Sequence, residues 1–202
     1  NVSINHIKLG SDIPEDYSIS STPVGQDSDG DGILDADEIT QCRDQNSASD
    51  FALEFNSDSL IFDGYVATFI DDLEEDNGVL KGTSNSSDPK IIKTNFLSFD
   101  SDEVTSITFR YKANTSNTRL QFFWSTSDNN NFSAARTLFD DYTGNGAWQE
   151  ISFDLSSNTE WLNHIITGLR IDPTNDSNVD FEIDWIRANN AIDPTLACIP
   201  VI

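Results

Sequence analysis

The sequence has little positive charge, no methionine and no long apolar run. Lys and Arg number 11 against 35 Asp and Glu, so the formal net charge is −24. Charge of this sign repels phosphate backbones and anionic bilayers. No apolar run approaches the roughly 20 residues that a membrane-spanning helix needs. These absences argue against nucleic acid and membranes as partners.

Cysteine is also scarce. Cys42 and Cys198 are the only two, and their separation fits no zinc or redox motif. They bracket the aromatic-rich part of the chain, so a disulfide would close a long loop, worth roughly 4–5 kcal/mol in the chain-entropy model. We predict this bridge and an extracellular, secreted protein, with two unrelated buried thiols as the alternative. Because the chain opens on Asn1 without a signal peptide, we expect an excised piece of a longer polypeptide.

Three segments differ in composition. Residues 1–26 contain a stretch rich in Ser and Pro that is typical of a linker or the end of a preceding domain. Residues 27–47 begin with a dense acidic run. Residues 48–202 consist of short runs broken by Asn, Ser, Asp and Gly, which predicts a third, independently folded segment.

The runs of the third segment alternate apolar and polar residues. In "SITFRYKA", Ile107, Phe109 and Tyr111 share one face, as expected for a half-buried strand. The same pattern recurs in "FALEF", "YVATFI", "GVLKGTS", "RLQFFWST", "EISFDL", "TGLRIDP" and "VDFEIDWIRA". In the last of these segments, the alternation assigns Trp185 to the core. The best helical candidate is short, residues 132–141. The pattern predicts an all-β, antiparallel β-sandwich, and the strand number favours a jelly roll.

The acidic run "DSDGDGILDADE" has the spacing of a calcium loop. Calcium takes oxygen ligands from loop positions 1, 3, 5, 7, 9 and 12, with Gly at position 6 for the turn. In order, these positions hold Asp27, Asp29, Asp31, the backbone carbonyl of Ile33, Asp35 and Glu38. Gly32 is at the sixth position, and a merely solvated acidic linker would not place apolar residues directly after it. We therefore predict Ca²⁺ as a cofactor.

The flanks of this loop exclude an EF-hand, because the preceding "STPVGQ" cannot form the required helix. The stretch resembles a thrombospondin type 3 repeat, whose D-x-D-x-D-G-x-x-D-x-x-E core is matched from Asp27 to Glu38. A dockerin loop is similar, but dockerins carry two such loops with helices. The resemblance implies a calcium-stiffened spacer between modules of a secreted bacterial enzyme.

Residues 49–188 resemble a second family. They resemble jelly-roll carbohydrate-binding modules of secreted polysaccharide-degrading proteins in the order of five segments. These segments are "GVLKGTSNSSDPKI", "RLQFFWSTSDNNNFSAARTLFDD", "GNGAWQEISFDL", "ITGLRIDPTN" and "VDFEIDWIRA". "WLNHIITG" departs from the family's shorter W-x-G. The resemblance implies a monomeric module that binds polysaccharide beside a catalytic domain of the same polypeptide.

The scarce basic residues suggest where a polysaccharide would bind. Arg110, Lys112 and Arg170 face opposite the apolar set, and would form one basic strip if their strands were neighbours. Guanidinium groups match sulfate and carboxylate, so the strip predicts a sulfated or uronic-acid polysaccharide. Trp124 and Trp161 are the predicted stacking residues. The alternative is ordinary pairing of the cations with neighbouring Asp and Glu.

A second cation site is implied by the jelly-roll resemblance. Glu54 and Asp184 belong to the first and last strands of the module, which pair or abut in many jelly rolls, and would hold a structural calcium. The alternative is a pair of hydrogen-bonded surface carboxylates.

Two other function classes remain. "EIDWIR", residues 182–187, is similar to the E-I-D-x-(x)-E signature of jelly-roll endoglycanases, but the final acid is replaced by Ile186 and Arg187. We therefore expect no catalysis. A structural spacer or adhesion module that binds no glycan is the other class, and exposed aromatics beside Arg110 and Arg170 would argue against it.

Overall fold

The computed structural model describes residues 25–41, 43–55 and 65–189. The predicted disulfide of Cys42 and Cys198, and nearly all of the predicted linker 1–26, lie outside the described residues. Within these ranges there are one α-helix, two 3₁₀ helices and eleven strands. The helices are α1 (Asp35–Gln41) and the 3₁₀ turns Ala48–Asp50 and Ser101–Glu103. The strands are β1 (Ala52–Glu54), β2 (Val66–Thr68), β3 (Ile70–Asp76), β4 (Val79–Ser84), β5 (Lys90–Asp100), β6 (Ser106–Ala113), β7 (Arg119–Thr126), β8 (Thr137–Asp141), β9 (Gln149–Asp154), β10 (Ile165–Asp172) and β11 (Asp180–Ala188).

The strands form two antiparallel sheets. Sheet A has the order β3-β4-β11-β6-β9, with β1 also paired to β11, and sheet B has the order β2-β5-β10-β7-β8. Apart from the consecutive pairs β3–β4 and β7–β8, neighbouring strands are not consecutive in sequence, because the chain crosses repeatedly between the sheets. The predicted antiparallel β-sandwich of jelly-roll type is confirmed.

An aromatic core lies between the sheets. Phe109 and Phe153 meet edge to face with ring centroids 5.6 Å apart, and Trp124 and Trp161 do the same at 5.3 Å. Phe122 contacts all four rings. Burial of each such side chain stabilises the fold by roughly 1.5–3 kcal/mol, so this cluster is a main source of stability.

Several elements depart from the sequence-based expectation. The strands β3 and β5 were not predicted, although β5 spans 11 residues and pairs with both β2 and β10. The best helical candidate, residues 132–141, is not a helix, since Thr137–Asp141 forms the edge strand β8 against β7. Pairing with a neighbouring strand overrides the weak local preference there.

The prediction that Trp185 belongs to the core is also wrong. On β11, Ile183 pairs with Tyr111, but Trp185 pairs with the adjacent Arg110, so the register shifts by one residue. This bulge reverses the alternation beyond it. Ile186 is therefore buried, while Trp185 is half-buried on the outer face of sheet A.

Candidate functional site

The acidic loop folds around its own carboxylates. The backbone N–H groups of Gly30 and Gly32 donate to the two carboxylate oxygens of Asp27, at 2.8 and 3.0 Å. Both glycines have positive φ, 77° and 93°, which favours glycine at these turns. The N–H of Ile33 donates to Asp31 Oδ1 at 2.7 Å. Helix α1 then begins at Asp35 and carries the last acid of the motif.

Five acids form what we call the carboxylate cluster: Asp27, Asp29, Asp31, Glu38 and Asp50. Oxygens of Asp27, Asp29 and Asp31 lie within 4.8 Å of one another, as do oxygens of Asp31, Glu38 and Asp50. Asp31 is common to both groups. Hard divalent cations prefer such sets of carboxylate oxygens, so the cluster has the composition of a metal site.

The burial of these acids supports the same conclusion. Asp31 and Glu38 are 0% exposed. Asp31 Oδ2, Asp50 Oδ1 and both Glu38 oxygens have no hydrogen-bond partner among the described residues. A buried carboxylate without a partner costs free energy, and a cation would remove that cost.

Burial also changes the protonation of the cluster. It raises the pKa of Asp31 to about 8 and the pKa of Glu38 to about 8, and the charge of Asp29 adds to both shifts. The pKa of Asp29 itself rises to about 6, again mainly through burial. A bound cation would take over the role of these protons, because metal ligands must be deprotonated.

The structure brings together four of the predicted calcium ligands but not all. Asp35 belongs to neither described group, and its two oxygens accept from the backbone N–H of Ser28 at 2.7 Å and the Ser28 hydroxyl at 2.8 Å. Ile33 has a buried side chain in the loop. Sequence reasoning missed Asp50, because it lies beyond the motif and no spacing rule points to it.

The second candidate site lies on the outer face of sheet A. There, Arg110 and Lys112 project from β6 between the neighbouring strands β11 and β9. The Arg110 guanidinium carbon and Lys112 Nζ lie 5.3 and 4.8 Å from the ring centroid of Trp148. Arg187 lies 4.1 Å from the ring centroid of Trp185, which pairs with Arg110 across β11 and β6. We call these five residues the tryptophan strip.

Two cations of this strip, Arg110 and Lys112, form ion pairs. Arg110 Nη1 lies 2.5 Å from Asp184 Oδ2, and Lys112 Nζ lies 2.7 Å from Glu182 Oε1. These are contacts between β6 and β11, as the cross-strand alternative predicted. Glu182 and Asp184, the two acids of the endoglycanase-like signature, are therefore both held in ion pairs.

Arg170 lies on the other sheet, so the predicted strip of Arg110, Lys112 and Arg170 is wrong. It belongs to β10 of sheet B, whereas β6 belongs to sheet A. Its Nε and Nη2 donate to the two oxygens of Asp172 at 2.6 and 2.5 Å, and its guanidinium carbon lies 4.4 Å from the Phe123 ring centroid. Arg170 serves as a partner for a buried carboxylate.

The predicted stacking roles of Trp124 and Trp161 are wrong too, since both are 0% exposed. Trp124 Nε1 donates to the carbonyl of Glu160 at 2.8 Å, and Trp161 Nε1 donates to the carbonyls of Ser101 and Val104 at 3.0 and 2.8 Å. Alternation with Leu120 and Phe122 could have assigned Trp124 to the core. The indoles that are partly exposed are instead those of Trp148 and Trp185, which are half-buried.

At the predicted second calcium site, Glu54 and Asp184, one of the two acids already has a cationic partner. Strands β1 and β11 pair as expected, with Glu54 opposite Trp185. However, Asp184 accepts from the Arg110 guanidinium, whose positive charge disfavours a divalent cation at the same carboxylate. The side chain of Glu54 is outside the described part of the structure.

Comparisons with known proteins concern the fold. No family model and no curated protein matches this chain. A low affinity xylan binding module, CBM86, from Roseburia intestinalis is 13% identical over 68% of this chain and 92% of its own, with a TM-score of 0.43. A mutant of a family 29 carbohydrate binding module is 9% identical over 74% and 98%, with a TM-score of 0.47. The agarase AgWH50C is 10% identical over 71% of this chain and 25% of the agarase, with a TM-score of 0.48.

Similarity at this level concerns the fold and not the ligand. In the described ranges, no helix is both long and apolar enough to cross a membrane.

Proposed function

We propose that this chain is a non-catalytic carbohydrate-binding module that binds polysaccharide on the tryptophan strip. The observation that supports it is the presence of two half-buried indoles, Trp148 and Trp185, on one sheet face with Arg110 between them. Aromatic rings of this kind stack on the C–H faces of sugars, and their amphipathic character suits a partly wet surface. Two strand spacings separate the indoles, roughly 10 Å, which a few sugar rings span.

The polar groups of the face are suited to sugar hydroxyls. The Arg110–Asp184 and Lys112–Glu182 pairs present both donors and acceptors. A sulfate or uronate would have to compete with these two carboxylates on a chain of net charge −24. The pairs therefore favour a neutral polysaccharide over the sulfated or uronic-acid ligand predicted from the sequence.

The carboxylate cluster has a separate role in this proposal. We take its cation to be Ca²⁺, because the loop spacing and the all-oxygen donor set both suit calcium. The bound loop would stiffen the entry to the sandwich. In a secreted polysaccharide-degrading enzyme, the module would then hold a catalytic domain near its substrate and raise the effective concentration.

Affinity electrophoresis tests glycan binding. Gels containing xylan, laminarin or agar, and gels containing carrageenan, alginate, ulvan or fucan, would be run with calcium present. We expect retardation by a neutral polysaccharide that is lost in Trp148→Ala and Trp185→Ala. Phe139→Ala is the matched control, because Phe139 is an exposed aromatic on sheet B with Arg119 only 4.1 Å from its ring centroid.

The outcomes separate the function classes. Unchanged migration of the wild-type chain on every gel would contradict glycan binding and favour the structural spacer. Retardation lost equally in Phe139→Ala would place the binding surface elsewhere. Retardation by anionic gels alone would restore the sulfated or uronic-acid ligand.

A further inference from the structure

We propose that the loop cation is also bound by Asp50 of the sandwich, and so fastens the loop to the β-sandwich. This inference rests on the proposed cation binding by the loop, but it concerns a different residue and a different consequence. The motif from Asp27 to Glu38 would supply only part of the coordination, and the 3₁₀ turn Ala48–Asp50 would supply the rest.

Asp50 is fixed to the sandwich by its neighbours. Ala48 and Phe51, on either side, are buried in the hydrophobic core. The carbonyl of Phe51 accepts from the N–H of Ala188 on β11 at 2.8 Å. Asp50 therefore cannot move with the loop without disturbing the start of β1.

The carboxylate of Asp50 is directed at the acids of the loop. Its Oδ2 accepts from the backbone N–H of Asp44 at 3.2 Å, while its Oδ1 is buried without a partner in the described structure. Asp50 has an oxygen within 4.8 Å of oxygens of Asp31 and Glu38, whose own unpartnered atoms are fully buried. Three carboxylates from three separate elements thus converge with free lone pairs, and a divalent cation between them would satisfy all three.

Two further contacts hold the same elements together. The N–H of Ser98 on β5 donates to the carbonyl of Gly30 at 2.5 Å. Arg43 donates to the carbonyl of Asp50, and the N–H of Arg43 donates to the carbonyl of Glu38 at 2.8 Å. The loop thus contacts sheet B through Ser98 and lies beside sheet A at Asp50. A cation bound by Asp50 would therefore link elements that already contact one another.

The test is calorimetric titration of the metal-free 202-residue chain with Ca²⁺, using isosteric Asp→Asn variants. Asp31→Asn tests the loop site, and Asp50→Asn tests the sandwich ligand. Asp37→Asn is the charge-matched control, because Asp37 is an exposed acid of the same motif outside the cluster. We expect roughly tenfold or greater loss of calcium affinity in Asp50→Asn and a much smaller change in Asp37→Asn.

A second readout follows the contact itself. Calcium should slow hydrogen exchange of the Ser98 amide in the wild type and in Asp37→Asn, but much less in Asp50→Asn. Equal calcium affinities of Asp50→Asn and Asp37→Asn, with Asp31→Asn unable to bind, would overturn the role of Asp50 and leave the loop site standing. A wild-type chain that binds no calcium would overturn both.

Discussion

Substitution of Gly30 by alanine tests whether the acidic loop is packed on the sandwich. A Cβ at Gly30 would lie 2.4 Å from the carbonyl oxygen and 2.7 Å from the carbonyl carbon of Ser98. Backbone atoms of β5, which is paired with β10, cannot move aside as a flexible side chain would, so the loop must shift. The matched control is Gly25→Ala, because Gly25 also has positive φ but a Cβ there would meet no described atom within 4 Å.

The two substitutions share one penalty and differ in another. Both place alanine in the left-handed region, at φ of 77° for Gly30 and 95° for Gly25, which costs about 1–2 kcal/mol. Only Gly30→Ala must also break the hydrogen bond from Ser98 and separate packed surfaces, about 1–2 kcal/mol more. For a chain of this size, the extra loss corresponds to a Tm lower by roughly 2–8 °C.

Differential scanning calorimetry in saturating calcium gives the comparison. We expect Gly30→Ala to melt below Gly25→Ala, and limited proteolysis near Gly30 to be faster in that variant. Equal melting temperatures and equal cleavage rates would refute the packing of the loop against β5.

Three further predictions follow from individual contacts. Calcium at 100 times its Kd should stabilise the fold by about 2.7 kcal/mol, so its removal by a chelator should lower Tm by roughly 5–11 °C. An unchanged thermogram would contradict the loop site. Trp161→Phe should destabilise the fold by about 2–4 kcal/mol in chemical denaturation, because two buried carbonyls lose their donor and a gap opens. Its glycan affinity should not change, and a loss of affinity without destabilisation would contradict its core position. Arg170→Ala should lower the free energy of unfolding by about 2–4 kcal/mol, since Asp172 is left buried without its partner. Retardation by the glycan should be retained. Loss of retardation at full stability would instead indicate that Arg170 belongs to the binding face.

The strands that could be predicted are those whose alternation is uninterrupted. β6 and β7 coincide with the predicted segments because each keeps one face in the core from end to end. β11 fails at Trp185, because the bulge that reverses its alternation depends on pairing with β6 and leaves no local signal. β3 was missed because its acidic edge sequence is similar to that of a loop.

The residues of the candidate sites also differ in whether local spacing or only the tertiary fold brings them together. The approach of Asp27, Asp29, Asp31 and Glu38 to one another could be predicted, because their spacing lies within one segment. Asp50 could not, because only the tertiary fold brings it to Asp31. The basic strip failed for a related reason, since Arg110 and Arg170 would be neighbours only in a strand order that the sequence does not reveal.

The most direct test of glycan binding on the tryptophan strip is an NMR titration of the indole N–H signals. The chain has four tryptophans, and single Trp→Phe variants assign their signals. With a soluble oligosaccharide of the polysaccharide that retards the chain, we predict that the signals of Trp148 and Trp185 shift while those of Trp124 and Trp161 do not. Unshifted signals of Trp148 and Trp185 at saturating ligand would contradict the proposed binding face.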